Sequence, residues 1–81
     1  MNHTIHIQYY AVLREKRGLN RETISTQAAT PAVLYQELKS KYLFPQDSSH
    51  LRVAVNNVFA DWATPLKEND TVVFIPQVAG G

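Results

Sequence analysis

The chain has 81 residues, 44% hydrophobic and 19% charged, with eight basic and seven acidic side chains for a net charge of +1. That length holds one domain with a core only just large enough to fold alone, and the composition is that of a globular chain rather than a disordered one. Charges spread without blocks argue against a phosphate-backbone binder, which needs a clustered basic face, so nucleic acid is not an expected partner. A weak net field leaves recognition to shape and apolar contact. Cysteine is absent, which removes disulfides, thiolate catalysis, cysteine zinc sites and iron–sulfur ligation. The first residues carry no basic n-region followed by an apolar h-region, and no apolar run approaches 18 residues, so no membrane partner is expected. A cytoplasmic location is the default.

Residues 3–10 alternate, with Ile5, Ile7 and Tyr9 on one face and Thr4, His6, Gln8 and Tyr10 on the other, which predicts a strand. Residues 11–18 read as a charged loop or a short helical turn closed by Gly18, a residue free to take positive φ. Arg21 to Thr26 is β-rich in composition and is expected to pair back as a hairpin. Thr30 then predicts an N-cap and Pro31 the first helical position. Leu34, Leu38 and Tyr42, with Tyr35 beside them, make one apolar stripe, and Glu37 and Lys41 are spaced for an i, i+4 ion pair. Pro45 ends this helix by forcing Phe44 out of the α region, and residues 46–50 form a polar loop.

Leu51, Val53 and Val55 alternate with Arg52, Ala54 and Asn56, predicting a third strand. Asn56-Asn57 suits a two-residue turn into a short strand Val58-Phe59-Ala60. Residues 62–70 form an irregular connection through Pro65. The last strand is expected over residues 71–75, where Val72-Val73-Phe74-Ile75 is apolar enough to be buried on both sides and therefore central. The order β-β-α-β-β-β with a single main helix predicts a two-layer α+β domain. In it the first and last strands lie side by side, joined through a right-handed crossover. This is the ubiquitin-like β-grasp fold: a mixed sheet with the helix packed on one face. Residues 1–81 form one such domain, ending in a flexible tail over 76–81.

Little in this chain makes an active site. His3 and His6 lie three apart in a strand and so point to opposite faces, where they cannot share a metal ion. The only interior glycine is Gly18, and no Gly-Lys-Ser/Thr motif is present, so there is no phosphate loop. Ser25, Ser40, Ser48 and Ser49 lack the setting of a nucleophile. Arg14, Glu15, Lys16 and Arg17 suit a solvated loop or a partner contact. Of Tyr10, Phe59, Trp62 and Phe74, some are expected on the sheet face away from the helix, where aromatics would carry binding energy, although each also suits the core.

The chemistry therefore falls to the end of the sequence, Pro76-Gln77-Val78-Ala79-Gly80-Gly81. Two of the three glycines stand there, a coincidence expected in about one chain in 200 at roughly 7% glycine per position. Taken alone, the pair is also compatible with a frayed end or an appended scar. Pro76 lacks the N–H to extend a ladder, and Gly80 and Gly81 without Cβ atoms make a tail slender enough to thread a channel. A terminal carboxylate with a pKa near 3.5 is ionised and a poor electrophile, so a partner with a nucleotide site must activate it.

The motifs Tyr10-Ala11-Val12-Leu13-Arg14-Glu15, Val53-Ala54-Val55-Asn56, Pro65-Leu66 leading to Asp70, and Phe74-Ile75-Pro76-Gln77-Val78-Ala79-Gly80-Gly81 closely resemble the small subunit of molybdopterin synthase. This is the MoaD family of ubiquitin-like sulfur carriers, and the resemblance runs over essentially the whole chain. The family tail reads Phe-x-Pro-Pro-Val-x-Gly-Gly; Gln77 departs from it, restoring an N–H and freeing φ, which implies a tail less extended before docking. The resemblance implies that the chain is a non-catalytic sulfur donor binding no cofactor itself. An E1-like, MoeB-like adenylyltransferase would use ATP to adenylate the Gly81 carboxylate. A sulfur donor such as a cysteine desulfurase or rhodanese would make the thiocarboxylate. The tail would then enter a MoaE-like large subunit of a heterotetramer, where sulfur passes to precursor Z (cyclic pyranopterin monophosphate) to build the dithiolene. Partner contacts are expected from Phe74, Pro76, Val78, Ala79, Phe59 and Arg14. The alternatives are a carrier for thiamine or another pathway, or a ubiquitin-like protein modifier.

Overall fold

A computed structural model describes residues 2–76, without the side chains of Ala11 and Val12. In chain order it contains β1 (His3–Tyr9), α1 (Ala11–Arg17), β2 (Arg21–Thr26), α2 (Pro31–Tyr42), a single 3-10 turn (Ser48–His50), β3 (Leu51–Val55), β4 (Val58–Ala60) and β5 (Asp70–Pro76). The strands form one sheet in the order β2-β1-β5-β3-β4. The pair β1–β5 is parallel and every other pair antiparallel. This is the mixed sheet of the β-grasp fold, with the first and last strands side by side at its centre.

The period-2 pattern explains which face α2 covers. Ile5, Ile7 and Tyr9 of β1, Val72 and Phe74 of β5, and Leu51 and Val53 of β3 are buried with Leu34, Tyr35 and Leu38 of α2 in one core. Aromatic rings fill its middle: Phe74 lies 5.1 Å from Tyr35 and stacks on Trp62 at 5.9 Å, and Phe44 meets both Tyr9 and Tyr35. The Tyr35 hydroxyl donates to the Gln46 carbonyl at 2.7 Å, and burial pushes its pKa up to about 12, which keeps it a neutral donor.

The helix starts as its sequence predicts. Thr30 is extended, its Oγ1 accepts from the Val33 N–H at 3.3 Å, and Pro31 opens the first turn. The end differs in mechanism: Leu43, two residues before Pro45, already turns the chain with φ 56°. The Glu37–Lys41 pair does not form. The Glu37 carboxylate accepts from Thr26 Oγ1 at 2.9 Å, tying α2 to β2, and the Lys41 ammonium sits over the Tyr42 ring.

Residues 11–17 are a genuine helix, α1, followed by Gly18 at φ 78° with its N–H on the Arg14 carbonyl at 2.8 Å. Seven residues are too few to hold a helix in isolation. Two tertiary anchors supply what propensity cannot: Leu13 is fully buried in the core, and Arg17 is bound to Glu22 through Nε at 3.0 Å and Nη2 at 2.8 Å. At the other end of the chain, β5 is longer than the apolar run. It takes in Asp70 and Pro76, so Pro76 is the last strand residue, opposite Leu51, rather than the first of the tail.

Candidate functional site

Among the described residues, no element packs over the centre of the sheet face turned away from α2, and strand register writes its surface as cross-strand rows. Arg21, Gln8, Val73, Ala54 and Phe59 form one row across all five strands. Beside it Ile75 of β5 lies next to Arg52 of β3, with Tyr10 following Tyr9, the partner of Phe74. The row on the other side is Thr23, His6 and Thr71. The centre is apolar. Gln8, Tyr10, Ala54, Asn57, Phe59, Val73 and Ile75 line a hollow of about 210 Å³. Val73 is only 5% exposed without any helix above it, while Phe59 and Tyr10 stand out at 57% and 46%. Large exposed aromatics around a largely apolar floor are the arrangement of a partner-docking patch.

The elements around this patch are held from the covered side. The Tyr9 hydroxyl donates to Glu22 Oε2 at 2.5 Å and Arg17 bonds the same carboxylate, while the Arg17 guanidinium lies 4.2 Å from the centre of the Tyr42 ring. Burial, followed by the hydrogen bond to Glu22, pushes the Tyr9 phenol far up. The Arg17 hydrogen bonds hold the Glu22 carboxyl below its ordinary range against the opposing effect of burial, and Glu22 raises the Arg17 pKa in turn. This cluster fixes α1, whose first hydrogen bonds run to the Tyr10 carbonyl, and thereby where Tyr10 stands.

A second network positions Phe59. Asn56 and Asn57 both take positive φ, 53° and 70°, as a two-residue hairpin turn with the sheet's twist demands. Asn56 Nδ2 donates to Asp70 Oδ1 at 2.9 Å and its Oδ1 accepts from the Thr71 N–H at 2.9 Å. Asp70 also accepts from the Lys67 N–H at 2.8 Å. The turn is thus tied to the start of β5, and Phe59 falls opposite Ala54. Asn56, Leu66 and Asp70 of the sequence motifs serve as scaffold; Leu66 is buried and its N–H donates to the Ala29 carbonyl at 2.8 Å.

The sequence-predicted site residues separate into three groups. Phe59 lies on the open face, its ring 4.0 Å from the Arg52 guanidinium, and Arg14 is exposed on α1. Phe74 is a correction: it is 0% exposed in the core beneath α2, so it offers a partner nothing. Parity explains this, since Phe74 pairs with Tyr9 and Val53 on the covered face and Ile75 takes the outward position. Trp62 likewise packs against the core. Pro76 is partly buried at the end of β5, while Val78, Ala79, Gly80 and Gly81 lie outside the described residues. Ile75, Val73, Ala54 and Arg52 were not singled out from sequence; the register that brings them beside Phe59 was the missing information.

His3 and His6 do point apart: His3 Nε2 donates to the Ala28 carbonyl at 2.8 Å on the covered side, and His6 Nδ1 shares a hydrogen bond with Thr23 Oγ1 at 2.9 Å on the open one. Among the described residues no three His, Asp or Glu side chains gather as a metal site, and no helix is long and apolar enough to cross a membrane.

Residues 7–81 match the ThiS family. A Mycobacterium tuberculosis protein, the molybdopterin synthase sulfur carrier subunit, is 35% identical over 95% of this chain and 96% of its own length. Among solved structures, subunit 1 of a molybdopterin converting factor from Pyrococcus furiosus superposes with a TM-score of 0.78 at 26% identity, covering 94% of this chain and 99% of that one. A chain from the complex of subunits 1 and 2 of the molybdopterin-converting factor of Helicobacter pylori has a TM-score of 0.65 at 23% identity, over 96% and 99% of the two chains; at that identity the likeness is one of fold.

Proposed function

We propose, from the premise that the chain belongs to the ThiS family of small sulfur carriers, that it serves molybdopterin synthase and carries its sulfur on the carboxyl group of Gly81. An E1-like partner joins that carboxylate to AMP at the expense of ATP, making the carbonyl electrophilic. The terminal sulfur of a donor's persulfide then attacks that carbonyl and displaces AMP, and a second thiol reduces the resulting acyl disulfide to leave a thiocarboxylate. The slender Gly80-Gly81 end enters the large subunit, where the sulfur passes to precursor Z. Sulfur held on the terminus explains how a chain without cysteine can act as a carrier.

The observation that carries the reading is the match to the mycobacterial sulfur carrier subunit along nearly its whole length. The open face supports it, because an apolar hollow beside the end of β5 lets one partner grip the domain and receive residues 77–81 together. Tyr10, Phe59 and Ile75 are the grip.

The test is intact mass after incubation with ATP, the adenylating enzyme and a sulfur source. The C-terminus is expected to gain the oxygen-to-sulfur difference, and deletion of Gly81 to abolish both this gain and molybdenum-cofactor rescue while leaving thermal stability unchanged. A deletion variant that still supports cofactor synthesis would refute the mechanism. Rescue of a thiamine auxotroph in place of a cofactor-deficient strain would assign the carrier to the other pathway, and adducts on partner lysines would make it a modifier.

A further inference from the structure

Net charge gives no hint of it, but the ionisable groups of the sheet are sorted by face. The open-face strand positions are Thr4, His6 and Gln8 of β1, Arg21, Thr23 and Ser25 of β2, Arg52 and Ala54 of β3, Phe59 of β4, and Thr71, Val73 and Ile75 of β5, as pairing and alternation dictate. None of the seven acidic residues of the sequence is among them. The two acidic strand residues face the other way: Glu22 is bound to Tyr9 and Arg17, and Asp70 is buried against Asn56 and Lys67. Arg21 and Arg52 are both exposed, and neither has an acidic partner among the ion pairs of the described residues, which are Arg17–Glu22 and Lys39–Asp47.

Their placement relative to the apolar hollow matters more than their number. Arg21 ends the central row on β2, beside a polar trough of about 480 Å³ lined by His6, Gln8, Thr23 and Thr71 and also by Glu22, whose carboxylate is taken up by Tyr9 and Arg17. Gln8 borders both trough and hollow. Arg52 stands at the opposite rim, next to Ile75 and one residue from Pro76, its guanidinium held over the Phe59 ring at 4.0 Å. Three strand intervals and a two-residue offset along the strands separate the two positions, roughly 16 Å at the usual strand spacing and rise. The Phe59 contact limits the freedom of the Arg52 side chain, so less entropy is lost when its free edge meets a carboxylate.

We infer that the open face selects a partner surface of one chemistry: an apolar knob for the hollow, flanked by carboxylates that meet Arg52 beside the exit of the tail and Arg21 across the trough. This rests on the reading that the open face is the docking face, and it adds what kind of protein surface docks there. The two arginines orient the domain so that the end of β5 points at the partner's channel. Charge at a rim acts mainly on encounter rate and orientation, with the apolar centre setting the lifetime of the complex.

The test measures association and dissociation rates of the full chain with the purified large subunit of the source organism's molybdopterin synthase, from about 20 to about 500 mM salt, a range across which screening shortens several-fold. For the wild type the association rate is expected to fall steeply with salt. The double variant R21E/R52E is expected to associate about tenfold more slowly at low salt, with the salt dependence flattened or inverted and the dissociation rate within about twofold. R21Q/R52Q should lie between them. K41E, which changes net charge by as much as R21Q/R52Q but on α2, should match the wild type, and equal unfolding temperatures establish that the variants are folded. A wild-type rate indifferent to salt, or R21E/R52E associating as fast as wild type, overturns the inference and leaves the sulfur-carrier reading standing. A wild-type chain that fails to bind the large subunit at any salt removes the docking reading, and the inference with it.

Discussion

The two faces of the sheet are made by alternate residues of the same strands, yet they are built to different rules. The covered face is a sealed core of aromatic and branched side chains, and its polar groups are committed to internal partners: His3 to Ala28, Glu22 to Tyr9 and Arg17, Asp70 to Asn56 and Lys67. The open face has the same strand backbone beneath it but keeps Phe59 and Tyr10 exposed, and its arginines have no ion pair among the described residues. A side chain on the first face contributes to stability; one on the second stays available to another protein. Phe74 and Phe59 show how the two cases separate: both are phenylalanines in a strand, but alternation turns Phe74 of the central β5 into the core and Phe59 of the edge strand β4 onto the open face.

The largest effect should come from exchanging these two residues' roles. Phe74→Ala removes a fully buried ring and is expected to cost about 3–5 kcal/mol, against a total of roughly 4–12 kcal/mol for a domain of this size, so urea unfolding should find it close to the folding threshold. Phe59→Ala should change stability by less than about 0.5 kcal/mol while accelerating dissociation from the partner. Equal destabilisation by the two would erase the distinction between the faces.

The Tyr9–Glu22–Arg17 cluster offers a sharper probe, because it belongs to the covered face but fixes α1 and Tyr10 at the edge of the open one. Glu22→Gln is expected to cost about 2 kcal/mol at pH 7, between the values for exposed and buried pairs. The Glu22 carboxyl is held below its ordinary value by Arg17 first, so the folded state binds its proton less readily than the unfolded chain. The stabilisation is therefore complete above the unfolded pKa of about 4.3 and disappears as pH falls through the lowered folded value. Urea midpoints of wild type and variant should differ at pH 7 and converge in acid. A difference that grows on acidification would contradict this sign.

The smallest effect concerns a residue on neither face. Leu43 is 75% exposed with φ 56°, a conformation that costs a branched side chain about 1–2 kcal/mol. Glycine removes that strain but adds entropy to the unfolded chain, so Leu43→Gly should raise stability by about 0.5 kcal/mol, read as a small upward shift in the urea midpoint. It should leave partner binding unchanged.

Much of the fold was legible because local rules and global packing agree in it. Thr30-Pro31 specified a helix start, Asn56-Asn57 a turn, and the apolar run before Pro76 a central strand, each through backbone or burial preferences that need no distant partner. Where sequence reading failed, a distant partner decided. The helix α1 depends on Leu13 reaching the core and Arg17 reaching Glu22; Glu37 chose Thr26 over Lys41 because β2 lies against α2. Phe74 looked like a partner contact because an aromatic near the tail fits either face until register is known.

By itself, then, the sequence determined the order of the five strands and the main helix, the two-layer architecture and the kind of protein this is, since periodicity, turn chemistry and motif likeness are all properties of the chain read in order. Only the tertiary structure decided which residues meet. Arg21, Gln8, Val73, Ala54 and Phe59 are scattered from position 8 to position 73 of the sequence, and they form one row because β5 inserts between β1 and β3. Alternation says that side chains divide between two faces. It takes the pairing of five strands to say which face α2 covers, and so which arginines and aromatics are left for a partner.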